Sequence, residues 1–221
     1  MAGVLAAGVD WSKAGWVAVV LDSSGFLGAS LGSTFDELVD ALTDVEVLGV
    51  DIPLGLPERP PRAADVEARR FVGPRRSSVF PTLPRDVLEA ADYPTAQRIA
   101  RERYGVGVPA QAFALAPRIL EVSHAAGRDR RIVEVHPEVS FAAMADAHIE
   151  YSKRTWAGLE QRRALLNSRG IAVPAEIGTA GSAAADDVID AAAAGWSARR
   201  KARGDAQTLP VDGSDSAVIW Y

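Results

Sequence analysis

Twice in its first quarter the chain runs a short apolar stretch straight into an aspartate: residues 4–9 end at Asp10, and residues 45–50 end at Asp51. Apolar runs of this length, bounded by turn residues, read as buried strands. A carboxylate at the end of a buried strand is costly unless it is paired, hydrogen-bonded or bound to metal. Any fold the chain adopts must therefore bring these strand ends to a place where charge can be satisfied. Residues 16–21 and 26–31 read as further strands. Gly-containing turns at 11–15 and 22–25 join the first three into an antiparallel meander. Then the period changes: Ser33 or Thr34 caps a helix whose apolar stripe is Phe35, Leu38, Val39 and Leu42.

A three-strand meander, a crossover helix and a fourth strand open a ribonuclease H-like sheet. A right-handed crossover lays the fourth strand beside the first, so Asp10 and Asp51 become neighbours. Like charges so close repel unless a cation separates them. Residues 131–135 read as a fifth strand, and 218–221 as a short edge strand. Helices are expected at 137–146, 156–168 and 183–203, the last rich in alanine. Residues 56–130 differ in texture, with a Pro-rich start, an irregular basic loop at 73–81, and helices at 62–71, 95–104 and 110–126. They read as a helical insertion over one sheet edge. The expectation is one α/β domain over 1–221: a five-stranded mixed sheet, part antiparallel meander and part parallel, flanked by helices.

The segment Asp186-Asp187-Val188-Ile189-Asp190 supplies further acids. Asp187 and Asp190 lie one helical turn apart on one face, and either could join Asp10 and Asp51. The plainer reading is helix-start electrostatics. In Glu134-Val135-His136-Pro137-Glu138, alternation out of the fifth strand puts Glu134, His136 and Glu138 on one face while the chain stays extended. Glu134 would bind an ion or orient a water, and His136 would support the ligands or carry a proton; a simple strand-to-helix turn is the competing reading. Arg75, Arg76, Ser77 and Ser78 form the best candidate phosphate contact, which Arg69 and Arg70 could extend. Their alternative is a solvated basic loop. Ser152-Lys153-Arg154-Thr155 is a weaker version of the same pattern. Trp11 and Trp16 fit hairpin packing better than base stacking.

The chain has no cysteine, so disulfides and thiolate metal sites are excluded and carboxylates point to Mg²⁺ or Mn²⁺. Two such ions roughly 3.5–4 Å apart would activate a water and stabilise a leaving oxygen in phosphodiester hydrolysis. The net charge of −5 argues against coating nucleic acid by bulk attraction, but not against a local grip on phosphate. There is no P-loop, dinucleotide fingerprint or Gly-x-Ser-x-Gly elbow. No signal peptide is read at the start, and no apolar run reaches the ~20 residues that span a bilayer. A cytoplasmic protein is expected.

In order along the chain, five stretches resemble the domain of unknown function 429 family of predicted ribonuclease H-like nucleases. They are Gly8-Val9-Asp10 with Gly15-Trp16, Asp51-Ile52-Pro53-Leu54-Gly55-Leu56-Pro57, Arg75-Arg76-Ser77-Ser78-Val79-Phe80, Glu134-Val135-His136-Pro137-Glu138-Val139-Ser140-Phe141 and Asp186-Asp187-Val188-Ile189-Asp190-Ala191. Where the family often has a small pair such as Gly-Cys after the first Asp, this chain has Trp11 and Ser12, which changes what approaches the acids. The resemblance implies a metal site of Asp10, Asp51, Glu134 and Asp187 or Asp190. The Asp187-x-x-Asp190-Ala spacing is also similar to the last helix of Holliday-junction resolvases. The expected function is a Mg²⁺- or Mn²⁺-dependent nuclease acting on structured or modified nucleic acid, with no membrane partner and a homodimer left open. The alternatives are a non-catalytic module that keeps the acids for structure, and an actin-like ATP-binding protein, against which the short chain counts.

Overall fold

In the computed structural model, which describes residues 5–211 and 217–221, the first strand runs beyond its apolar stretch. β1 (Ala6–Ser12) keeps Asp10, Trp11 and Ser12 in the ladder and turns through Lys13 and Ala14 into β2 (Gly15–Leu21). The sequence suggests a five-residue loop here. Packing of Trp11 on its cross-strand partner Trp16, with ring centroids 5.2 Å apart, shortens it. β3 (Phe26–Gly32) completes the meander. Thr34 caps α1 (Phe35–Ala41), its hydroxyl accepting from the Glu37 amide at 3.2 Å.

The crossover delivers β4 (Val47–Val50) parallel to β1, with Gly8 opposite Gly49, and β5 (Ile132–Glu134) pairs beyond it. The sheet order is β3-β2-β1-β4-β5. This is the five-stranded mixed sheet the sequence implies, and it is consistent with a ribonuclease H-like fold.

Between β4 and β5 lie α2 (Ala63–Phe71), a 3₁₀ segment at Gly73–Ser78, α3 (Arg85–Leu88), α4 (Tyr93–Tyr104), α5 (Ala110–Ala114) and α6 (Ala116–Ala126). The single helix the sequence suggests over 110–126 is broken at Leu115, with Pro117 in the first turn of α6 where its missing N–H costs nothing. The short α3 has no periodic signal. Apolar residues of α3, α4 and α6, such as Val87, Ala96, Ile119 and Val122, pack with Val9, Trp16, Leu48 and Val50 on one face of the sheet.

α7 (Pro137–Ala145), α8 (Trp156–Ser168) and α9 (Ala185–Arg203) cover the other face, against Val17, Val19 and Leu21. The C-terminal strand β7 (Ile219–Trp220) pairs with β6 (Thr208–Leu209) and touches the main sheet through a single bridge from Trp220 to Val135. Among the described residues no helix is long and apolar enough to cross a membrane.

The helix α9 lies directly on the backbone of β1 and β4. A Cβ on Gly8 would come within 1.9 Å of the Gly195 nitrogen and 2.0 Å of the Ala191 oxygen. On Gly49 it would meet the Ala194 oxygen at 2.8 Å. Glycine below and alanine above let the helix sink onto the strands, so the alanines serve close packing as well as helix propensity.

Candidate metal centre

Strand alternation fixes the direction of the first two acids. Gly8 faces α9, so Asp10, two residues on, faces the same side; Gly49 and Asp51 repeat the relation on the neighbouring strand. The Asp51 amide donates to the Val9 carbonyl at 3.0 Å, continuing the pairing past the end of β4. Asp190 projects from the first turns of α9, one turn before Ala194, which rests on Gly49. Each of Asp10, Asp51 and Asp190 offers a carboxylate oxygen within 4.8 Å of the others. A group of three carboxylates at this spacing could hold a metal ion.

Electrostatics bear out the strain of this gathering. Burial, followed by the charges of Asp51 and Asp190, holds Asp10 well above its ordinary value of 3.8. Burial likewise pushes Asp51 to about 7 and Asp190 to about 7, with Lys153 working in the opposite direction on both. Asp10 has one oxygen on the Trp11 amide at 2.7 Å. Asp190, only 2% exposed, accepts at Oδ2 from the Lys153 ammonium, while its Oδ1 is buried without a hydrogen-bond partner. An unsatisfied buried carboxylate oxygen calls for a cation or a donor. The chemistry of the donor set, all oxygen, suits a hard divalent ion.

The acids form part of the wall of a cavity of about 540 Å³, which also receives Arg75, Ser77, Ser78 and His136. That volume lies within the roughly 300–1,000 Å³ of small-molecule sites. Arg75 leans on the Glu150 carbonyl at 3.3 Å and leaves its Nε buried without a partner. Arg76 is exposed and is not among the residues lining the cavity. His136 meets the Ser78 carbonyl at 3.4 Å through Nε2, its Nδ1 is buried and unpartnered, and burial lowers its pKa.

Two of the expected ligand candidates stand outside the group of three, although Glu134 lines the same cavity and the charge of Asp187 reaches Asp10 and Asp51. Glu134 pairs in register with Val50, not Asp51, so it points to the opposite face of the sheet from the acidic group. There it takes the Leu54 amide at 2.6 Å and a bidentate contact from Arg62, whose nitrogens also reach Asp65. Both of its oxygens are thus committed within a buried ion network, and it is a structural anchor for the chain that leaves β4. Asp187 is partly buried one turn before Asp190 and falls outside the group of three; of the two helix acids, Asp190 is the one that joins. The shared face of Glu134, His136 and Glu138 is also lost, because the helix begins at Pro137 and turns Glu138 toward Arg162.

A family model described as Protein of unknown function (DUF429) matches residues 8–214. The chain belongs to this family. The match runs from Gly8, under α9, past the C-terminal end of that helix, so every element of the centre lies inside the DUF429 region. No curated protein and no solved structure matches the chain.

In this DUF429 protein, sequence reasoning ranks two important residues too low. Lys153, read as part of a weak basic motif, forms the ion pair with Asp190. Glu138 is 6% exposed, lines the cavity and accepts at Oε1 from Arg162 at 2.5 Å, leaving Oε2 unpartnered. Arg62, the counter-charge of Glu134, carries no sequence signal beyond its place after Pro60-Pro61.

Proposed function

We propose that this protein is a Mg²⁺- or Mn²⁺-dependent phosphodiesterase that acts on nucleic acid. One observation carries the reading. Three carboxylates from two adjacent strands and a helix converge on a cavity whose wall also offers an arginine and two serines. Acids alone would suit many roles. Acids beside a guanidinium with an unpaired Nε–H and a serine at the cavity wall suit a substrate that is itself anionic and needs a cation to approach them.

Asp10, Asp51 and Asp190 would hold the ion, which supplies charge stabilisation at phosphoryl oxygens and acidifies water. Arg75, with a free Nε–H, and Ser77 and Ser78 would bind and orient the phosphate. His136, whose pKa burial lowers and whose Nδ1 has no partner, would exchange a proton with a group in the cavity. The cavity is of a size to take one nucleotide unit and its flanking phosphate.

The ion pair between Lys153 and Asp190 favours a second reading, a non-catalytic module whose acids are satisfied within the protein. A single ammonium does not balance three carboxylates, which is why the first reading is preferred. The test is hydrolysis of single-stranded, duplex and branched oligonucleotides by wild type and Asp10→Asn. Cleavage is expected with Mn²⁺ or Mg²⁺, lost with chelator, restored by Mn²⁺, and absent from the variant. Equal cleavage by both proteins, or none by either with any substrate, would overturn the proposal.

A further inference from the structure

Lys153 is built into the centre and is not a passing contact. It lines the cavity, and its side chain is 32% exposed against 4% for the Asp190 it meets. Its loop is tied from several sides. Arg162, fully buried, donates to the Tyr151 and Gly158 carbonyls at 3.0 Å each, and to Glu138. Thr155 binds the Ser152 carbonyl with both its amide and its hydroxyl while capping α8. Gly158 packs so closely that a Cβ there would lie 1.9 Å from the Ser152 oxygen. A loop held this firmly has already given up its backbone freedom, so placing the ammonium at the acids orders only the lysine side chain.

Charge then decides how many ions fit. The Glu138 carboxylate is matched by Arg162. Glu134 and Asp65 share Arg62 on another side of the cavity, and Asp187 stands half-buried outside the group. Within the group of three itself, three carboxylates face one ammonium, which leaves two negative charges, the amount one divalent ion supplies. Asp190 shows the same division within a single group: Oδ2 is held by Lys153, and Oδ1 is buried without a partner. A second divalent ion would have to share this carboxylate with the first ion and with a fixed ammonium, and its repulsion from both would go uncompensated.

We propose that the centre takes one divalent cation, and that the ammonium of Lys153 stands where a two-ion site would hold its second. This deepens the phosphodiesterase reading and rests on it for the substrate, while the ion count can be measured without substrate. The two-ion arrangement suggested by the carboxylates alone is replaced by one ion and one lysine.

Titration of the full chain with Mn²⁺ by calorimetry, with bound Mn²⁺ counted by electron paramagnetic resonance, tests this. One ion per wild-type chain is expected. Lys153→Met should bind Mn²⁺ at least about tenfold more tightly, because the opposing charge a few ångströms away is gone. Two ions per wild-type chain overturn the inference and leave the phosphodiesterase reading standing. Unchanged Mn²⁺ affinity in a folded Lys153→Met protein also overturns it; if that variant does not fold, the wild-type count alone decides. A wild-type chain that binds no Mn²⁺ overturns the metal reading itself.

Discussion

Asp10 and Glu134 are both buried carboxylates that follow apolar strand residues, with relative exposures of 7% and 5%, yet their surroundings are opposite. Glu134 has a guanidinium and an amide within hydrogen-bond reach; Asp10 has two other acids as neighbours. Removing a charge therefore acts in opposite directions at the two places. Arg62→Met strands Glu134 and Asp65 without their counter-charge and should cost about 3–5 kcal/mol, the range for breaking one side of a buried ion pair. Urea denaturation reads this directly; a loss below 1 kcal/mol would show that water replaces Arg62. Asp10→Asn relieves repulsion and should raise the metal-free Tm by about 2–4 °C per kcal/mol gained, while abolishing the Tm rise that Mn²⁺ gives the wild type. A lower metal-free Tm in Asp10→Asn would contradict the account of its strained charge. These two environments are not legible in the residues themselves. Both acids follow apolar strand residues, and only the partner across space separates ligand from anchor.

At the scale of the element, α9 is the part on which the centre depends. It carries Asp190 to the strand ends because Gly8 and Gly49 let its alanine face rest on the strand backbones. Gly8→Ala forces helix and strand apart, since the added carbon would overlap main-chain atoms that have no alternative rotamer. A loss of at least about 1–3 kcal/mol is expected, together with weaker Mn²⁺ binding as Asp190 retreats. Normal stability and normal Mn²⁺ affinity in Gly8→Ala would refute the packing argument. The loop before α8 makes a separate case. Gly158→Ala should push Ser152 and the adjoining Lys153 outward and tighten Mn²⁺ binding in the same sense as Lys153→Met, with the oligonucleotide-free titration as readout. The helix α9 was readable from its alanines and acids. The loop was not, because nothing in Ser152-Lys153-Arg154-Thr155 distinguishes a solvated turn from one pinned by a buried arginine twenty-four residues from its carboxylate partner.

Across the whole molecule, the acids couple folding to pH and to metal. Burial foremost pushes Asp51 and Asp190 from 3.8 to about 7. Between those values the folded chain holds protons that the unfolded chain has released, so these groups contribute stability below pH 4 and lose it as pH rises through about 7. A divalent ion needs the carboxylates deprotonated, so its affinity moves the other way. The Tm increase produced by Mn²⁺ should accordingly be small at pH 5 and large at pH 8 by differential scanning fluorimetry; equal increases at both would count against the buried acids as the binding groups. The sequence by itself determined the main elements and where acids sit along them: the meander, the crossover, the alanine-rich helix, and Asp10, Asp51 and the pair Asp187 and Asp190, with the choice within that pair left open. Those features follow from periodicity and turn chemistry between near neighbours in the chain. Only the tertiary structure decided that β5 pairs Glu134 with Val50, sending it to Arg62, and that Lys153 joins the three acids. Register and loop docking are set by contacts between residues far apart in sequence, and a charge shows whether it is ligand or counter-ion only once its neighbours in space are fixed.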